Sequence, residues 1–116
     1  MSDMSNYLRR ENRVPAKHLP KELGTFYVTP SDSEAAKVNA VDASFGGIGF
    51  TTDIDPKAFP NGSHLNMYPF GVKDPLKGRV IFKQKVGGTT RVGVQILQSG
   101  GYKQYMKKMK DIYEKT

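Results

Sequence analysis

VNAVDASFGGIGFT, residues 38–51, is the stretch whose reading decides the fold. Val38, Ala40, Val41 and Ala43 make an apolar run, Asp42 and Ser44 stand at its end, and Ile48 and Phe50 restart the alternation after Gly46 and Gly47. Two short strands around a glycine-bearing corner are expected, with Gly46 and Gly47 supplying the positive φ of the turn. Asp42 and Ser44 then sit on a rigid corner, where polar groups can hold a ligand in fixed geometry. A polar cluster upstream, Arg9, Arg10 and Arg13, is the possible partner of that corner.

Working outward, period-2 alternation marks further strands at residues 23–28, 63–70, 76–86 and 91–97. In the third of these Leu76, Gly78, Val80 and Phe82 are expected to face inward, with Lys77, Arg79 and Lys83 outward. In the last, Val92, Val94 and Ile96 point to the core. Residues 53–62, with Pro56, Pro60 and an Asn61-Gly62 pair, read as loop and turn. From Ser99, the expected N-cap, the period lengthens: Tyr102, Tyr105, Met106, Met109, Ile112 and Tyr113 step by three and four, the stripe of an amphipathic helix. Mostly β is the fold class: six short strands closing into a small antiparallel barrel, with a C-terminal α-helix covering leftover apolar surface.

The chain has 116 residues, enough for one domain with a real core. Residues 1–21 read as a flexible segment, 22–98 as the barrel and 99–116 as the helix. The sequence has no cysteine, which removes disulfides and thiolate metal sites; with two isolated histidines, His18 and His64, no metal site is expected. The N-terminus lacks the apolar core of a signal peptide and no run is long enough to span a bilayer, so a cytoplasmic protein is expected. The net charge is +7, but the excess lies at the ends. Residues 1–21 and 99–116 each carry five cations and two acids, whereas 22–98 carry eight and seven, a near-balance that counts against a broad phosphate-tracking groove.

Either polar cluster alone has a bland reading, as a solvated basic tail or as turn chemistry. In this order and ahead of this strand pattern, they resemble the PilZ domain, a bacterial receptor module for cyclic di-GMP. Arg9 and Arg13 match the family's RxxxR element, and Asp42, Ser44 and Gly47 match its D/NxSxxG element. The resemblance covers nearly the whole chain and implies a PilZ-type barrel in a stand-alone single-domain member. It also implies a cyclic di-GMP site at Arg9, Arg10, Arg13, Asp42, Ser44 and Gly47, no cofactor beyond that ligand, and a separate effector protein that reads the ligand-switched surface. Leu8, apolar where another cation would favour a second ligand copy, favours one copy per site, with a stacked pair as the alternative.

The chemistry is coherent without the family. A compact dianion with two guanines needs cations for phosphate and directional groups for base edges, and arginine supplies both through its planar fork. Two rival readings stay open: a small basic barrel binding single-stranded nucleic acid through Arg9, Arg10, Arg13, the helix lysines and Tyr27 or Tyr68, and a PilZ-fold adaptor without nucleotide binding. An enzyme is not expected, because Ser44 lacks a nucleophile-elbow context and neither histidine is tied to it by pattern.

Overall fold

Seven antiparallel strands build one sheet in the computed structural model, which describes residues 13–30, 34–70 and 74–115. They are β1 (Val14–Pro15), β2 (Thr25–Pro30), β3 (Ala36–Ala43), β4 (Gly47–Thr52), β5 (His64–Met67), β6 (Leu76–Val86) and β7 (Thr89–Ile96). Around the ring the order is β3, β2, β5, β6, β7, β4, and β4 pairs back onto β3. The result is the expected closed six-stranded barrel, and closure leaves few free edges. β1 is an addition to it, pairing with β3 through Val14 opposite Ala43 and Pro15 opposite Asp42.

Period-2 alternation fills the interior. Phe26 and Val28 of β2, Leu65 and Met67 of β5, and Val92, Val94 and Ile96 of β7 are all buried, as their spacing requires. Phe50 centres the core, edge-on to Phe26 at 6.3 Å and to Phe59 at 5.9 Å, geometries that aromatic quadrupoles favour. The helix α2 (Tyr102–Lys115) follows the shorter α1 (Lys21–Gly24) in chain order and buries Tyr105, Met109 and Ile112, the inner part of the stripe read from its spacing. Each such side chain contributes about 1.5–3 kcal/mol by leaving water.

Several local expectations are corrected. Gly46 and Gly47 do not have positive φ; among the described residues only Gly62 and Gly87 do. Gly47 is required for a different reason, because a Cβ there would lie 2.7 Å from the Val94 carbonyl oxygen of the adjacent strand. Ser99 is not the N-cap. The helix begins at Tyr102, Tyr105 N–H donates to the Gly101 carbonyl, and the Ser99 hydroxyl is buried without a hydrogen-bond partner. Leu23 belongs to α1, not to a strand, and β5 stops at Met67, before Tyr68 and Pro69. Residues 1–12 of the segment expected to be flexible lie outside the described residues; from Arg13 on, the chain forms β1, a 3-10 turn (Ala16–His18) and the start of α1.

The most consequential departure is a pair of β-bulges. In β3 the register passes from Ala40 opposite Phe50 to Asp42 opposite Gly49, leaving Val41 as the extra residue. In β6 it passes from Val80 opposite Val94 to Phe82 opposite Gly93, leaving Ile81 over. One inserted residue reverses the parity of everything after it. Asp42, in phase with the buried Val38 and Ala40, is thereby turned outward, and Ala43 takes the interior position. Phe82, expected inward with Leu76, Gly78 and Val80, is turned to the outer face, where it is 41% exposed.

Candidate functional site

The bulges place four residues in one outward row across neighbouring strands: Asp42 on β3, Gly49 on β4, Gly93 on β7 and Phe82 on β6. The next outward pair is Gly47 opposite Gln95. With three glycines in this small area, the wall is bare backbone. It floors a hollow of about 970 Å³ bordered by Arg13, Asp42 and Ser44 on one side and by Ile81, Phe82, Gln84 and Arg91 on the other, a size within the usual range for small-molecule sites.

Arg13 enters this hollow from the residue just before β1. Pairing of Val14 with Ala43 fixes its backbone beside the end of β3, and its guanidinium is then tied down by two side chains. Nε donates to Asp42 Oδ1 at 2.9 Å, and Nη1 donates to the Ser44 hydroxyl at 3.5 Å, near the limit for such a bond. The pair is part-buried, with 25% of the Arg13 side chain and 22% of the Asp42 side chain exposed. Both Nη atoms come within 3.8 Å of where a Gly47 side chain would begin, and Nη2 within 3.9 Å of the corresponding point at Gly49. The cation therefore lies along the glycine floor, tied to a carboxylate through Nε.

Gly49, which carries no motif signal in the sequence, also lines this hollow. A Cβ there would lie 2.9 Å from Asp42 Oδ1, so its absence is what lets the carboxylate reach Arg13. Ser44 lies beneath the arginine. It is only 1% exposed, and its hydroxyl meets Arg13. It supports the arginine from beneath. Arg9 and Arg10 lie outside the described residues.

The corner itself is held from the far side by α2. Ser44 N–H donates to the Gly47 carbonyl at 2.8 Å, closing the turn. The buried Tyr105 hydroxyl donates to the Ser44 carbonyl at 2.5 Å and approaches the Gly47 carbonyl at 3.4 Å. Desolvation pushes the Tyr105 phenol far above its ordinary value, with Tyr113 adding to the effect, so it remains a neutral donor. Phe45, at the turn, lies 4.8 Å from the Tyr113 ring. Tyr105 was legible in the sequence only as part of an apolar stripe; that its hydroxyl braces the corner depends on where the helix docks. A second hollow, about 930 Å³, runs between α2 and the corner, lined by Phe45, Tyr102, Met106 and Tyr113. It is more apolar, and the polar side chains Arg13, Asp42 and Ser44 border only the first.

Among the described residues no cluster of histidine and acidic side chains is placed to hold a metal ion, and no helix is long and apolar enough to cross a membrane.

No family model and no curated protein matches the sequence. Solved structures match the fold. The PlzA protein of Borreliella burgdorferi in complex with c-di-GMP superposes with a TM-score of 0.66 at 13% identity, over 95% of this chain and 43% of that one. The PilZ domain of YcgR from Escherichia coli, solved with c-di-GMP, gives 0.58 at 16% identity and 93% of both chains. The c-di-GMP complex of K. pneumonia MrkH gives 0.62 at 12% identity, over 92% of this chain and 50% of that one. The chain has the PilZ fold, and spans less than half the length of PlzA.

Proposed function

We propose that this PilZ-fold chain is a receptor for c-di-GMP, which it binds without chemical change on the outer wall of the barrel. The observation that carries the reading is the Arg13 guanidinium, fixed by Asp42 and Ser44 over the Gly47–Gly49 floor. A pre-positioned arginine has already lost much of its rotamer freedom, so its donors meet a phosphate or a guanine edge at reduced entropic cost. The c-di-GMP complexes of PlzA, YcgR and MrkH, which share this fold, support the choice of ligand.

In this reading Arg13 supplies the cation, Asp42 and Ser44 orient it, and the glycines allow close approach of the ligand to the backbone. Arg9 and Arg10 add charge from the upstream segment, and c-di-GMP draws that segment onto the wall. The output is an altered surface read by a separate effector protein. Calorimetric titration of the full chain with c-di-GMP tests this, with Arg13→Ala and Asp42→Ala alongside. Saturable binding by the parent, weakened about tenfold or more in both variants, is the expected result. Binding undiminished in both variants contradicts the site. No response to c-di-GMP, together with steeply salt-dependent binding of oligonucleotides, makes the chain a nucleic-acid binder instead.

A further inference from the structure

The near-balance of charge across residues 22–98 conceals a division. Residues 22–75 carry three cations and seven acids, whereas 76–98, which hold the β6–β7 hairpin, carry Lys77, Arg79, Lys83, Lys85 and Arg91 and no acid. The same hairpin has a free strand edge. β5 pairs with β6 only through Leu76 to Arg79, and the residues leading into β5 add one more step, Gly62 N–H donating to the Val80 carbonyl and Val80 N–H to the Ser63 carbonyl. Beyond it β6 continues to Val86. From Ile81 to Val86, about 20 Å of strand, its backbone has partners on the β7 side alone among the described residues.

We propose that this half-strand is a docking edge for another protein, which adds an extended acidic segment to the sheet beside β6. The edge exists whether or not the barrel wall binds c-di-GMP. The hairpin turns through Gly87 and Gly88, so Val86 and Thr89 form its closing hydrogen-bonded pair. Bonded pairs alternate along an antiparallel ladder, and Lys83 and Lys85 therefore direct their N–H and C=O groups away from β7, toward the open edge. Of the four large hydrophobic side chains exposed among the described residues, three, Ile81, Phe82 and Val86, lie on this half-strand. Such an edge pairs with whatever extended chain its side chains admit. Lys83 and Lys85 share one face by alternation, and neither has an acidic partner among the described residues. A second copy of this edge, paired with the same face outward, sets lysine against lysine. An anionic bilayer or a nucleic acid answers the charge but leaves the backbone groups without a ladder. A strand with carboxylates opposite the two lysines and apolar residues between them satisfies both.

The probe is a short soluble peptide alternating glutamate and valine. Its controls are the lysine–valine counterpart and the acidic peptide N-methylated along its backbone, which cannot complete a ladder. Each is titrated into the isotope-labelled full chain, as are a single-stranded oligonucleotide and vesicles of phosphatidylglycerol and phosphatidylcholine. Expected are saturable shifts from Ile81 to Val86 with the acidic peptide, slowed amide exchange at Lys83 and Lys85, and no binding by either control. Lys85→Pro removes an edge N–H without touching the β7 ladder and should abolish binding. Lys83→Glu combined with Lys85→Glu keeps the backbone and should weaken binding about tenfold or more. Melting of each variant reports separately on the fold. No binding of the acidic peptide, shifts that lie elsewhere, or undiminished binding by both variants overturns the proposal. Equal binding of the N-methylated peptide overturns it by making the contact purely electrostatic. Self-association of the chain through the same amides makes the occupant a second copy, and oligonucleotide or vesicle binding without peptide binding transfers the surface to those partners; either result overturns it too.

Discussion

Gly49→Ala separates the positioning of Arg13 from the stability of the barrel. Gly49 has an ordinary strand φ, so alanine brings no backbone strain. Its methyl would lie 2.9 Å from Asp42 Oδ1, the far end of a side chain that can swing aside. Swinging aside breaks the 2.9 Å bond to Arg13 Nε. As a part-exposed ion pair this contact contributes only about 0–1 kcal/mol to folding, so the melting temperature should fall by at most a few degrees. For the ligand the loss is larger. An arginine no longer held over the floor forfeits on the order of one charge-assisted hydrogen bond, about 1.5–3 kcal/mol, or roughly tenfold to hundredfold in c-di-GMP affinity. Calorimetry and thermal melts of Gly49→Ala, Asp42→Ala and the double variant measure both quantities. If Gly49 acts through Asp42, the double variant binds no worse than Asp42→Ala. Parent-like affinity in Gly49→Ala, or fully additive losses in the double variant, refutes the positioning argument.

Gly47→Ala should show the opposite profile, because its methyl meets the Val94 carbonyl at 2.7 Å, a backbone atom that moves only with its strand; a loss of about 1–3 kcal/mol in denaturant unfolding is expected, and an unchanged midpoint contradicts it. Tyr105→Phe removes the donor to the Ser44 carbonyl and should cost about 1–3 kcal/mol at neutral pH. The phenol's raised pKa adds a pH signature. The folded state retains the proton above the ordinary value of 10.0 while the unfolded state loses it, so this part of the stability is complete below pH 10 and falls as pH rises beyond it. Unfolding measured from neutral pH to above 10 should show a shallower alkaline decline in Tyr105→Phe, and equal slopes contradict the assignment. Lys108→Ala removes the exposed 3.1 Å pair with Glu22 and should leave the melting temperature within error at physiological salt.

What the sequence disclosed and what it concealed divide along physical lines. Val92, Val94 and Ile96, or Tyr105, Met109 and Ile112, can be read because burial repeats with the backbone period. A single inserted residue leaves no compositional mark, so the bulges at Val41 and Ile81 were invisible, and with them the outward turn of Asp42 and Phe82. β1 is too short for any period and pairs with a strand far along the chain, so the element that seats Arg13 beside Asp42 also escaped notice. The positive φ expected at Gly46 and Gly47 is absent, and the need for glycine at Gly47 comes from the approach of β7, which only tertiary packing defines. Arg13, Asp42, Ser44 and Gly47 are implied by the resemblance to the PilZ motifs, and the structure brings them around one hollow. That the acid and the hydroxyl both serve the arginine follows from the three-dimensional arrangement.

The most direct test of the central claim is a titration of the isotope-labelled chain with c-di-GMP, following backbone amide resonances residue by residue. Gly47, Gly49 and Gly93, the floor beneath Arg13, are expected to shift strongly and saturate with the calorimetric affinity, while β2 and β5 on the opposite wall stay still. Saturable shifts confined to that opposite wall, with the glycine floor unmoved, would contradict it.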